Sequence, residues 1–361
     1  MSLKTALSLI AVMLVAGLGG LFYGVSQAQT VTEFKVETVS LTEVATLTET
    51  VTLTETYTKT EVPPPETRTL TETVTFTPPA QTVTVTKTLI PASTRQELVD
   101  FALELINEDR ANHGLPPVKL GSNPAAQKHA EEMLENDYLS HWNLAGMKPY
   151  MRYTLEGGEG AVFENVAYSG HWSEKFSAKE IIARLEYGMM YEDEEFNWGH
   201  RNNILSKWHN KVNIGLAYND YTLTIVQDFE RDYIEWEEPV KYDGGTLSMK
   251  GKTALGEPYM ISLYYDSPPA PLTRGQLLNP PYDKSYSMGE EVGCIIPEGY
   301  AAESSYVNAS IWKTSPSGEF EITADITPLL SRGDGVYTLV LWAEVNGEYV
   351  ELTTHSLFIK E

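Results

Sequence analysis

The chain has 361 residues, a formal net charge of -24 and a sequence pI near 4.7. That length exceeds one ordinary domain, and so acidic a balance repels nucleic acid and anionic membrane surfaces from the body of the protein. A single cysteine, Cys294, excludes an intrachain disulfide, so packing alone must hold the fold.

From Ala6 to Val25 no charge interrupts an apolar run of about twenty residues, long enough to cross a bilayer core as a helix. Lys4 before it and Glu33 and Glu37 after it keep the N-terminus inside. Residues 1–28 are therefore read as a transmembrane signal-anchor in the cell membrane, single-pass, with the bulk of the chain extracellular. Ser26-Gln27-Ala28 also suits a cleavage site, and cleavage there makes the protein secreted. Residues 29–93 place Thr on alternate positions, as in Thr50-Val51-Thr52-Leu53-Thr54, broken by Pro63-Pro64-Pro65 and Pro78-Pro79. Such composition cannot build a two-sided core and reads as an extended, Thr-rich, O-glycosylated stalk. An isolated β-ribbon is the alternative.

Globular order begins at Thr94. Thr94-Arg95-Gln96-Glu97 has the form of a capping box, and Leu98, Phe101, Ala102 and Leu105 follow at helical spacing until Gly114. Asn123-Pro124 opens a second helix that runs to about Asn136. Ser177-Ala178-Lys179-Glu180 predicts another capping box, ahead of an apolar face made by Ile181, Ile182, Leu185 and Met189. A short fourth helix is predicted near His200, then paired strands at Val212–Ala217 and Thr222–Val226 around an Asn219-Asp220 turn. Helices followed by a small antiparallel sheet make 94–236 an α+β layer domain.

Beyond Trp236 helical patterns vanish. Alternating runs at Met260–Tyr265, Val307–Trp312 and Val336–Trp342, with Asn346-Gly347 as a hairpin turn, predict an antiparallel β-sandwich over 237–361. Asp334-Gly335-Val336-Tyr337 resembles the tyrosine corner of immunoglobulin-like (Ig-like) domains. Cys294, inside Val292-Gly293-Cys294-Ile295-Ile296, reads as a buried small hydrophobe. Asn308-Ala309-Ser310 fits a glycosylation acceptor, which makes Asn308 an exposed position in a glycoprotein.

One ordered series of motifs carries a family resemblance. Ile106-Asn107-Glu108-Asp109-Arg110, Ala130-Glu131-Glu132-Met133, Tyr138-Leu139-Ser140-His141, Phe163-Glu164-Asn165-Val166-Ala167, Trp198-Gly199-His200-Arg201-Asn202-Asn203-Ile204-Leu205, Asn213-Ile214-Gly215-Leu216 and Val226-Gln227-Asp228-Phe229 follow one another in this order. The series resembles the CAP superfamily (SCP domain; cysteine-rich secretory proteins, antigen 5, pathogenesis-related proteins), in its disulfide-free bacterial and archaeal branch. The resemblance implies an α/β/α sandwich over about 94–232 with a His/Glu/Glu/His group in one cleft. By position the histidines are His141 and His200 and the first acid is Glu164. For the second acid Glu186 is preferred over Glu192, because Glu192 opens the acidic run Glu192-Asp193-Glu194-Glu195, read as a solvated loop. Asn165, Trp198 and Arg201 are candidate cleft-lining residues.

Two imidazoles and two carboxylates in one hollow can hold a divalent metal such as zinc, with the acids orienting the rings, or can form a structural ion-pair network. No Gly-x-Ser-x-Gly elbow and no His-Glu-x-x-His helix occurs, so catalytic residues are not assigned. The leading expectation is a non-catalytic, surface-anchored binding protein. The partners implied by the resemblance are a cell-envelope lipid, glycan or protein, the membrane being met through the N-terminal helix. The alternatives are a metal-dependent hydrolase using Glu164 or Glu186 as base, and a spacer or adhesin with a vestigial cleft.

Overall fold

The computed structural model describes residues 51–55, 68–76, 81–89, 94–170, 177–303 and 305–360. The apolar segment Ala6–Val25 lies outside these, and among the described residues no helix is long and apolar enough to cross a membrane. The chain divides into two compact units, Met1–Pro91 and Ala92–Glu361.

In the first unit, β1 (Val51–Glu55), β2 (Arg68–Phe76) and β3 (Gln81–Leu89) pair antiparallel in that order. Period-two threonine has high strand propensity, and the register sets Thr69, Thr71 and Thr73 opposite Thr88, Thr86 and Thr84.

The second unit begins with α1 (Arg95–Asn112), whose N-cap Thr94 forms the capping box with Glu97 in both directions. After β4 (Lys119–Leu120) comes α2 (Ala125–Asn136), where Asn123 Oδ1 accepts from the Ala125 N–H at 3.0 Å. A helix that the sequence reading omits, α3 (Pro149–Leu155), precedes β5 (Ala161–Ser169). Next are α4 (Ala178–Tyr191), α5 (Gly199–Ile204), β6 (Lys211–Tyr218) and β7 (Leu223–Arg231). Ser177 is the N-cap of α4, but its side chain makes no capping bond, so the predicted capping box there is absent.

The strands form one sheet in the order β4-β6-β7-β5, with helices on both faces. On one face Leu98, Ile106, Ile182, Met189 and Met190 from α1 and α4 pack on Val212, Leu216, Ile225 and Phe229. On the other face Ala126, Ala130 and Met133 from α2 pack on Val166, Ala217 and Val226. The helix approaches closely because Gly215 has no side chain: a Cβ there would collide with the Ala126 carbonyl oxygen. Arg110, fully buried near the C-terminus of α1, donates to Pro116 O, Ile204 O, Ser206 O and His209 O at 2.9, 2.7, 2.9 and 3.2 Å, fixing the turn that leaves α5.

Only two residues, Asp232 and Tyr233, separate β7 from β8 (Ile234–Asp243). Strands β8, β9 (Thr246–Thr253), β10 (Glu257–Asp266), β11 (Glu290–Ile296), β12 (Tyr306–Asn308), β13 (Ile311–Thr314), β14 (Glu319–Asp325), β15 (Gly335–Val345) and β16 (Glu348–Ile359) make two sheets. Their orders are β12-β11-β10-β15-β16 and β13-β14-β9-β8. Leu247, Met249, Phe320 and Ile322 of the second sheet meet Ile261, Leu263, Leu339 and Leu341 of the first in a single core. The expectation of a purely antiparallel sandwich needs one amendment, since β12 runs parallel to β11. Tyr337 Oη donates to Gly333 O at 3.2 Å, the back-bond expected of a tyrosine corner, and Asn346-Gly347 turns the β15–β16 hairpin with both residues at positive φ. Cys294 is buried and Asn308 is exposed, with its amide donating to Pro297 O.

The sandwich is built onto the first layer. Thr353 Oγ1 donates to Glu159 O at 2.7 Å, the Thr354 N–H to Gly160 O at 3.1 Å and the Ser356 N–H to Thr154 Oγ1 at 3.1 Å. Val336 packs with Tyr150, Met151, Tyr153 and Val162. The segment 267–289 between β10 and β11, which carries the short helix α6 (Arg274–Leu277), runs back across the α2 and α3 face. Leu277 sits in the core beside Met133 and Tyr138.

Replacing Arg110 by Met keeps the bulk but leaves four carbonyls without their charged donor. The unfolding free energy from urea titration is expected to fall by at least about 3 kcal/mol; a change under about 0.5 kcal/mol would show that water replaces the guanidinium.

Candidate functional site

Edge strand β5 organises both candidate histidines. Successive side chains of a strand point to opposite faces, so Glu164 and its neighbour Asn165 look in opposite directions. Cross-strand pairing enforces this: Glu164 lies opposite Asp228 and Asn165 opposite Gln227 on β7.

On the α2 and α3 face, His141 Nδ1 donates to Glu164 Oε1 at 2.9 Å, and Arg152 Nη2 from α3 donates to Glu164 Oε2 at 2.5 Å. Burial pushes the Glu164 carboxyl up, but the Arg152 charge and the His141 hydrogen bond outweigh it and hold it at about 2. The opposite happens to Asp228. Burial first and the Glu164 charge second raise it well above its ordinary value. His129, fully buried beside them on α2, contacts Ser140 O through Nε2 at 2.8 Å, and burial pushes it down to about 3, so it is neutral.

The segment 267–289 closes this face. The Tyr286 ring packs at a tilt against His141, with centroids 4.9 Å apart, and its hydroxyl accepts the Glu164 N–H at 3.1 Å. Tyr282 meets Trp142 edge-on, and Ser140 Oγ donates to Tyr282 O at 2.6 Å. Arg274 binds Asp137 through both Nε and Nη2 at 2.6 Å, and Leu272 N–H donates to Leu144 O. At the root of the segment Asp266 accepts from Lys148 Nζ at 2.7 Å and Tyr150 Oη at 2.6 Å.

On the α1, α4 and α5 face the partner of His200 is neither preferred acid. His200 Nδ1 donates to Asp193 Oδ1 at 2.6 Å, and the Asp193 Oδ2 accepts the Arg201 N–H at 3.1 Å. Asp193 is buried, whereas Glu192, the C-cap of α4, is exposed. The acidic run is thus no solvated loop throughout: its second member turns inward and holds the turn before α5. Glu186 is also buried, but it accepts from Gln227 Nε2 at 2.6 Å and not from a histidine. Burial drives its carboxyl up to about 8, partly countered by that hydrogen bond. Asn165 Nδ2 donates to Gln227 Oε1 and to His200 O, so it links the sheet to α5 as a buried connector.

The four expected groups are therefore divided by β5. His141 and Glu164 lie on one face and His200 and Glu186 on the other, where the last two have different partners. Among the described residues no group of three or more His, Cys, Asp or Glu side chains is arranged to hold a metal ion. Each candidate imidazole has its Nδ1 engaged by its own carboxylate on its own face, which leaves its Nε2 for another partner. Sequence reading missed Arg152, Asp193, Asp228 and Tyr286. Asp228 stood within a quoted motif, yet only the β5–β7 register reveals that it faces Glu164. His209 stacks on Phe229 and meets the tilted Phe163 ring, with centroids 5.3 and 4.9 Å away.

Around His200 the surface is aromatic. Trp198, at φ 60 in the left-handed region, is 38% exposed, and Phe196, Tyr191 and Tyr187 are 52%, 40% and 54% exposed. Arg201 lies over both Tyr191 and Trp198, at 5.9 and 5.7 Å from the ring centres.

The family model described as CAP, the cysteine-rich secretory protein family, matches residues 103–229. Three solved structures resemble the chain: an extracellular SCP-domain protein of Bacillus anthracis (17% identity, 46% of this chain and 60% of that one, TM-score 0.30), an outer surface protein of Borrelia burgdorferi (14%, 39% and 97%, 0.31) and the CAP domain of Enterococcal PrgA (16%, 39% and 63%, 0.29). The chain thus spans 60% of the Bacillus protein. Comparison with the curated proteins found no match.

The Glu186 carboxyl, near 8 when folded against about 4.5 when unfolded, binds a proton in the folded state that the unfolded chain has lost between those values. Its contribution to stability is therefore full below pH 4.5 and is lost as pH rises to 8. Urea unfolding of Glu186→Gln is expected to show a shallower decline between pH 5 and pH 8 than the parent chain; equal slopes would refute the protonated assignment.

Proposed function

With a CAP domain as the premise, we propose that this chain is an exported protein that acts by binding and not by catalysis, and that it binds through the His200 face of that domain. One observation carries the reading. Glu164, one of the two acids that the sequence offers as a general base, is buried, charged and already bonded to His141 and Arg152, with the Tyr286 ring against the histidine. A general base needs a lone pair within reach of a substrate proton. Ser140, beside His141, is equally unsuited as a nucleophile, because its hydroxyl is buried and donates to Tyr282 O.

The His200 face differs. Its aromatic side chains stand open to solvent, and no segment of the described chain crosses it as 267–289 crosses the other face. Export agrees with the family to which the CAP domain belongs and with an N-terminal apolar run; the sandwich then serves as the rigid base that presents the domain. The partner class is a component of the cell envelope or a protein met outside the cell, and no metal is required.

The full-length chain, incubated with peptides and with envelope polymers in the presence of divalent ions, is expected to show no turnover, and its association with envelope fractions is expected to survive chelation. Zinc uptake by calorimetry is expected to be the same for the parent chain and for the His141→Ala/His200→Ala double variant. Turnover that disappears in Glu164→Gln, in a variant that remains folded, would replace the binding reading with the hydrolase reading.

A further inference from the structure

We propose that the aromatic surface around His200 docks a cationic, arginine- or lysine-bearing segment of another polypeptide; this deepens the binding reading and rests on it. The surface is continuous. Tyr187 and Tyr191, one turn apart on α4, have ring centroids 5.1 Å apart, Arg201 bridges Tyr191 to Trp198, and Phe196 meets His200 edge-on at 5.1 Å. Four large aromatic side chains exposed together are unusual on the surface of a protein that has no further use for them.

The local backbone holds them out. Asp193 O accepts the N–H groups of Phe196 and Trp198 at 3.1 and 3.0 Å, and Asn197 and Trp198 both adopt positive φ, at 54 and 60. A tryptophan in the left-handed region is strained, and the buried Asp193, bonded to His200 and to the Arg201 N–H, supplies the constraint that keeps it there.

Charge selects the occupant. Glu194 and Glu195 are exposed in the turn that carries Phe196, and the whole chain has a net charge of -24. Anionic lipids, nucleic acids and acidic glycans are repelled from such a rim, whereas a guanidinium or ammonium group gains from both the carboxylates and the ring faces. The molecule contains an internal example, because the guanidinium of Arg201 already sits over two of the same rings. A neutral sugar would use the rings but gain nothing from the acids.

The test uses the full chain and four probes: a fluorescent twelve-residue Arg/Gly peptide, the same peptide with Gln for Arg, a soluble neutral glucan and neutral phosphatidylcholine vesicles. The Arg peptide is expected to bind and to weaken as salt is raised, and the Gln peptide to bind at least tenfold more weakly. Trp198→Gly, which removes the ring and relieves the turn, and Tyr187→Ser, on an exposed helix face, are each expected to weaken the Arg peptide by a factor of about three and together by roughly tenfold, with thermal unfolding unchanged or raised. Equal binding of the Arg and Gln peptides, equal binding by parent and double variant, or preference for glucan or vesicles would each overturn the proposal. If the chain still associates with envelope fractions in that event, only the identity of the occupant falls; loss of that association as well would remove the binding reading itself.

Discussion

A buried negative charge at Glu164 is the constraint around which this structure is arranged. Removing a carboxylate from water costs several kcal/mol unless donors surround it. Arg152 and His141 supply them, the backbone N–H of Glu164 itself is taken by Tyr286, and Asp228 lies opposite it in the sheet. Each of these partners comes from a different element: α3, the loop after α2, strand β7 and the segment between β10 and β11. Satisfying one carboxylate therefore fixes the position of helix, loop, sheet and sandwich insertion together.

That arrangement explains why the two halves of the unit behave as one body. The 267–289 segment is tied at its root by Asp266 to Lys148 and Tyr150, along its length by Arg274 and Leu277, and at its end by Tyr286. The same side chains that resemble half of a family cleft are used here to seat a second domain. The other half, His200 with Asp193, keeps its surface and gains an aromatic rim. One set of motifs thus serves two physical purposes, divided by a single edge strand.

Much of this was legible in the sequence where local chemistry decides. The Thr94 capping box, the Asn346-Gly347 hairpin and the Tyr337 back-bond follow from residues within a few positions of one another, and all three form. Ser177-Ala178-Lys179-Glu180 had the same local pattern and no such bond, because a matching pattern does not compel the hydroxyl to turn toward the helix. Long-range facts were not legible. Glu186 is buried on α4, but only the fold brings Gln227 of β7 to it. Asp193 looked solvated among three other acids, and nothing local distinguishes the one that turns inward. The opposite orientations of Glu164 and Asn165 follow from strand periodicity once β5 is in place.

Strand β8 forms one border of the four-stranded sheet, and its pairing with β9 slips twice, between Trp236 and Glu238 and between Glu238 and Lys241, around Pro239. Glu235, Glu237 and Glu238 line this strand, and all three are exposed. A border that is kinked, lacks an amide hydrogen and carries like charges is a poor template for a neighbour's strand. Molecules crowded side by side at high local density would therefore remain individually dispersed, and intermolecular sheet growth would find no starting point along this rim.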